Sequence, residues 1–174
     1  GRYYRQSVVI TQTLTPEINA LFNRACANTL PRFRALLPDE PSIAKVALKI
    51  RQVFQRVDAD SPGQKGDALF KYFVDEVLPH LTATVQTRTL VYVASYFDYI
   101  RLKNLFGEEA LNYCAVCEHT SKQDQCKFRG RFAEGKFDFM LYTERFHFYH
   151  RYHIKGAHNV VFYGLPQYGQ FYSE

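Results

Sequence analysis

The chain has no tryptophan, one methionine and only four cysteines in 174 residues. Cys26, Cys114, Cys117 and Cys126 are too few and too scattered for a disulfide framework, which points to a reducing, intracellular compartment. No apolar run approaches the length of a membrane span and no signal-peptide pattern opens the sequence, so no membrane partner is expected. A phosphate-cradling Gly-x-x-x-x-Gly-Lys-Ser/Thr loop is missing, as is an Asp-Glu pair after a strand to hold magnesium, so ATP hydrolysis has no visible machinery. A Gly-x-Ser-x-Gly nucleophile elbow is also missing. The expectation is a protein without catalytic residues, cofactor, metal or small-molecule substrate. Negative charge is the most telling shortage: from Arg145 to Ser173 there is no Asp or Glu.

What is present is aromatic and mildly basic. Thirteen Tyr and fifteen Phe give an aromatic share of 16%, and the net charge is +5. That charge permits a polyanionic or acidic partner without requiring one. The densest stretch is Leu141 to Tyr152, where Arg145, His147, His150 and Arg151 alternate with Phe146, Phe148, Tyr149 and Tyr152. His153, Lys155 and His158 continue the basic run. Neither a helical nor a strand period separates charge from ring, so the stretch reads as a loop with part of its set exposed. Three readings follow: rings packing the loop down beneath solvated charges, arginine and lysine on phosphates with rings stacked on bases, or a protein-interaction hot spot.

Periodicity supplies the frame. Gln6 to Gln12 and Val46 to Val57 alternate as strands do. Thr15-Pro16-Glu17 is an N-cap, a first-turn proline and an acid at the positive helix end, opening a helix to about Asn28. Leu30 to Ser42, with Pro31, Pro38 and Pro41, reads as a linker. Leu69, Phe70, Phe73, Val74, Val77 and Leu78 have helical spacing over Asp67 to Leu81. Arg88 to Ala94 is a continuous apolar strand of the doubly buried, parallel type. A helix from Tyr96 to Phe106 is capped by Gly107. A strand from Tyr113 to Cys117 leads to a helix from Lys122 to Glu134, closed by Gly135, and strands follow at Phe137 to Tyr142 and Val160 to Tyr163. Alternating strands and helices predict an α/β fold, a mostly parallel sheet with helices on both faces. Ligands of such sheets sit at the carboxyl ends of the strands, beyond Cys117, Tyr142 and Tyr163.

Two constellations have a metal-like look. Cys114-x-x-Cys117 with His119 and Cys126 lacks a second pair, and strand residues three apart face opposite ways, so buried inert thiols are expected. Glu144-x-x-His147-x-x-His150-x-x-His153 lacks the second copy and extra carboxylates of a di-iron site.

One set of residues also carries a resemblance. His119-Thr120-Ser121, Arg129 to Lys136 with its Phe132-x-x-Gly135 turn, and Phe139-Met140-Leu141-Tyr142-Thr143-Glu144 resemble the second RecA-like (P-loop NTPase-type) domain of superfamily 2 RNA helicases. Leu90 to Ser95 resembles motif IV, and Tyr142-Thr143-Glu144 falls on motif V. Ser95 to Asn104, Tyr142 to Tyr149, Phe162 to Pro166 and Phe171 to Glu174 are more closely similar to the digestive organ expansion factor family. Its members are nucleolar, small-nucleolar-RNA-associated components of the small-subunit processome, helicase-like but without ATPase motifs. The resemblance implies a non-catalytic nuclear and nucleolar factor for 18S pre-rRNA processing. It would bind pre-ribosomal RNA, small nucleolar RNA or other processome proteins. It implies that residues 1–42 are the end of a first RecA-like domain plus linker, and 43–174 a second one truncated at its C-terminal end. Carry-over assigns Thr143 to a backbone phosphate and His119 and Thr120 to the RNA track. Arg145, His147, Tyr149, Arg151 and Lys155 join them as nucleic-acid contacts on residue type alone. The alternatives are a pure protein-interaction scaffold, or part of a residual ATP-dependent RNA helicase. Where a helicase has Ala-Arg-Gly-x-Asp, this chain has Phe146 to Tyr152.

Overall fold

Four short strands, β1 (Thr89–Val93), β2 (Tyr113–Val116), β3 (Phe139–Thr143) and β4 (Asn159–Phe162), form an all-parallel sheet in the order β2-β3-β1-β4. The computed structural model describes residues 6–11, 14–26, 33, 35, 46, 49–83 and 88–174. The chain divides into two units, Gly1–Asp39 and Glu40–Glu174. The sheet belongs to the second.

Period-two alternation sorts the strand side chains into two cores. Val91, Val93, Phe139 and Leu141 face one side, with Tyr99, Leu102, Leu105 and Phe106 of α4 (Tyr96–Glu108). Phe73 and Leu78 complete that side, from a helix running through α2 (Lys65–Tyr72), a π turn (Phe73–Val77) and α3 (Leu78–Ala83). Tyr92, Cys114, Val116, Met140 and Tyr142 face the other side, with Phe132 of α5 (Lys122–Ala133), Phe146 of α6 (Glu144–His150) and Phe171. Helices therefore cover both faces. The architecture is α/β as expected and is consistent with a RecA-like fold.

Local chemistry sets the element ends. Ser95 accepts from the Asp98 N–H at 3.4 Å and Ser121 from the Asp124 N–H at 3.1 Å, capping α4 and α5. Gly135, at φ +75, lets the chain leave α5. The π turn sits just before Pro79, which has no N–H for the regular ladder, and the Leu78 N–H reaches back to the Phe73 carbonyl instead. In the first unit, α1 (Pro16–Arg24) opens as anticipated, with the Thr15 hydroxyl accepting from the Ile18 N–H at 3.5 Å.

Five expectations change. Residues 6–11 form no strand. Among the described residues of 46–57 there is no strand either, and Ile50, Val53 and Phe54 are exposed. Alternation without a neighbouring strand to bond gives only extended chain. This segment touches the fold through Gln52, whose Oε1 accepts from the Tyr172 hydroxyl at 2.6 Å. α1 ends at Arg24, with 27 and 28 outside the described residues, where most of the Leu30 to Ser42 linker also lies. Gly107 is helical; α4 ends one residue later, and Ala110 takes the left-handed position at φ 50. The basic–aromatic stretch is not a loop but begins with α6, two turns of helix.

Candidate functional site

The chain leaves β1 over one face of the sheet, through α4, and crosses to β2. It leaves β3 over the opposite face, through α6, and reaches β4 on the other flank. Because neighbouring strands β1 and β3 send their chains to opposite faces, a crevice opens at their carboxyl ends, the topological switch point of the sheet. It is a cavity of about 340 Å³. Ala94 and Tyr96 come to it from β1, Glu118 from β2, and Thr143, Glu144 and Arg145 from β3. Phe148 and Tyr149 of α6 and Gln167 and Tyr168 of the turn after β4 complete it.

Two carboxylates stand at this edge. The Glu118 carboxylate accepts from the Thr143 hydroxyl at 3.2 Å. Arg145 Nε lies 3.9 Å from it, too far for a hydrogen bond, and the Arg145 side chain is largely exposed. Glu144 is buried, and both its oxygens lie 3.0 Å from the Gln167 N–H. Burial holds its carboxyl above the usual carboxylate range, against the pull of the Gln167 N–H. The rings stand around these acids. Tyr96 meets His119 edge-on at 5.6 Å, and Phe148 lies 5.4 Å from Tyr149 and 5.5 Å from Tyr168.

The anticipated contact residues are not brought together. Thr143 ends β3, is buried, and caps α6 by accepting from the Phe146 N–H at 3.3 Å. Thr120 turns inward, its hydroxyl accepting from the Cys117 N–H at 3.0 Å, while His119 stays exposed. Arg145 and Tyr149 lie on the crevice. His147 is buried, 3.3 Å from the Tyr142 hydroxyl and 3.0 Å from Glu174. Burial lowers its pKa, and the Glu174 carboxylate opposes that. Arg151 adopts the left-handed φ of 47, pairs with Glu174 and covers the Phe171 ring at 4.4 Å. His147 and Arg151 thus face inward rather than toward a ligand. Lys155 is exposed at the opposite end of the sheet, beside Gly156, which abuts Ala133 and Arg88 below β1. About 17 Å of strand separates the two edges.

Residue-type reasoning missed Glu118, Glu144, Tyr96, Phe148, Gln167 and Tyr168. The strand-end rule marks the right loops, but a search for cations passes over carboxylates. Among the described residues no group of three or more His, Cys, Asp or Glu could hold a metal ion. Cys114 and Cys117 are buried free thiols, and burial pushes Cys114 up to about 12.

A family model described as the C-terminal domain of Utp25 matches residues 42–174. The chain belongs to this Utp25 family. It is 41% identical over 175 residues to the U3 small nucleolar RNA-associated protein 25 homolog of Xenopus tropicalis and, equally, to that of Homo sapiens. It is 36% identical over 174 residues to Protein NUCLEOLAR FACTOR 1 of Arabidopsis thaliana. All of this chain is covered in each case, but only 23% of the relative, so the chain spans about a quarter of the length of the curated relatives it matches. In this Utp25 family domain, the crevice and every residue lining it fall within the matched segment.

Proposed function

We propose that this domain is a non-catalytic, helicase-like docking module of a nucleolar small-subunit processome component acting in 18S pre-rRNA processing. Membership of the Utp25 family and relatives named for U3 small nucleolar RNA and for the nucleolus support the setting. The observation that carries the mode of action is the switch-point crevice. Its lining is mainly rings, with two carboxylates and one arginine, Arg145, and the threonine that resembles motif V, Thr143, is engaged as the α6 cap and the Glu118 partner. Such a lining suits holding a partner better than holding a triphosphate, whose charge two carboxylates would oppose.

In the full-length protein, replacing exposed Tyr149 and Leu165 together by alanine is expected to reduce co-sedimentation with U3 small nucleolar RNA in gradients of cell extract. Wild-type co-sedimentation of the double variant would refute docking through this edge. An ATP titration of the full-length protein tests the residual-helicase alternative, and saturable binding would favour it.

Direct RNA contact has support from a different surface. Lys127 and Arg131 are exposed on α5, and Lys155 is exposed in the loop packed against the end of that helix. These cations suit contacts to phosphates of pre-ribosomal or small nucleolar RNA.

A further inference from the structure

The crevice narrows its own choice of occupant. A carboxylate offers about four acceptor positions. Glu118 receives a hydrogen bond from Thr143, and Glu144 receives the Gln167 N–H and is drawn on by the Tyr92 hydroxyl. Acceptor capacity therefore remains in the lining of a cavity large enough for a side chain. The walls are π faces and edges from Tyr96, Phe148, Tyr149 and Tyr168. A group that fits must donate hydrogen bonds to carboxylates and lie flat against rings. Guanidinium does both: its fork matches a carboxylate, its plane stacks on aromatics, and its charge meets the ring quadrupole.

The rim indicates what carries that group. Phe97 and Leu165 are 85% and 89% exposed on the same carboxyl edge, following the neighbouring strands β1 and β4. A bare leucine and a bare phenylalanine at this edge offer little to a phosphate backbone and a dry contact to apolar side chains of a polypeptide. The lining carries two carboxylates against one cation, Arg145, so charge complementarity favours a cationic side chain over a phosphate here.

We infer that the crevice receives an arginine side chain from a basic, apolar-flanked segment of a partner protein. The guanidinium bonds Glu118 and Glu144 between the rings, and the flanking apolar residues cover Phe97 and Leu165. This rests on the docking reading of the same edge and adds the class of partner.

The test uses the 174-residue chain and a labelled synthetic peptide with one central arginine between leucines. A second peptide carries citrulline, which keeps the shape and removes the charge. The arginine peptide is expected to bind about tenfold tighter or better. Glu118→Gln is expected to erase most of that difference. Tyr149→Ala, at an exposed position that leaves the core untouched, is expected to weaken the arginine peptide several-fold, and a single-stranded oligouridine should not displace it. Equal binding of the two peptides, displacement by oligouridine, or no effect of either variant would overturn the inference. If no peptide binds while the Tyr149/Leu165 double variant still loses U3 co-sedimentation, the arginine proposal falls and docking through this edge stands. If both results are negative, both fall.

Discussion

Two glycines are expected to respond oppositely to the same substitution. Gly156 has φ +88, and a Cβ there would lie 3.0 Å from both Ala133 Cα and Arg88 Nη1, and 3.2 Å from the Ala133 carbonyl oxygen. Arg88 already donates to that carbonyl at 2.6 Å, so the neighbours are held in place. Gly156→Ala is therefore expected to cost about 1–3 kcal/mol in denaturant unfolding. Gly107 lies inside α4, and the nearest atom to its Cβ position is the Tyr113 hydroxyl at 3.9 Å. Gly107→Ala is expected to stabilise by up to about 1 kcal/mol, the helix-propensity difference, where a true C-cap glycine would lose stability. His147 supplies a pH dependence. Burial depresses its pKa in the folded state, although Glu174 opposes that, while Arg151 and His153 add to it. The unfolded chain then takes up the proton more readily, so the stability His147 contributes is complete above its unfolded pKa of about 6.5 and falls as pH drops through and below that value. Melting temperatures between about pH 7.5 and 5.5 should decline less steeply in His147→Gln than in the parent. A parallel decline in both proteins would show that His147 is not the group being titrated. Glu174 acts at lower pH. Burial raises its pKa, but the bonds from Arg151 and His147 outweigh this and hold it below the ordinary value, so its contribution is lost only in more acidic solution.

Helix α6 depends on the residue that ends the strand before it. Thr143 accepts from the Phe146 N–H and donates to Glu118, so it starts the helix and fixes one wall of the crevice together. Thr143→Val keeps the shape and loses both bonds, and is expected to cost about 1–2 kcal/mol. Thr143→Ser should recover most of this in the same unfolding assay, whereas equal losses in the two variants would show that the methyl packing matters and the hydroxyl does not. Such caps explain which elements could be read from the sequence. Gly135 marks the end of α5 locally, the serine caps Ser95 and Ser121 are seen in the structure, and the apolar run of β1 identifies a doubly buried strand. Residues 49–57 misled because alternation records which faces a segment presents, not whether a neighbouring strand bonds it. α6 misled for a different reason. Seven residues give two turns, too few for a period, and the buried face mixes Phe146 with His147. His147 is held there by the Tyr142 hydroxyl and by Glu174, 27 residues later, and the second pairing is one no local pattern reveals. Glu118 and Glu144 were obscured likewise, since parallel strands distant in sequence bring them to one edge.

Net charge alone misleads about this chain. The value of +5 and the acid-free run from Arg145 to Ser173 suggest a continuous basic track. Folding disperses it. Arg145 goes to the carboxyl edge beside Glu118, Arg151 turns onto Glu174, and Lys155 goes to the amino edge. On the surface proposed for RNA, a single strand would run over Lys127 and Arg131 of α5 toward Lys155. Each phosphate neutralised contributes about −0.7 to the slope of log affinity against log salt for single strands. Replacing Lys127, Arg131 and Lys155 together by alanine should therefore flatten the slope for an unstructured RNA by about 2. Arg145→Ala, removing a cation that already faces Glu118, should change it by less than about 0.7. The reverse pattern would put RNA on the carboxyl edge and would count against an arginine-binding crevice as well, because one edge cannot present its carboxylates to a guanidinium and to a phosphate backbone alike.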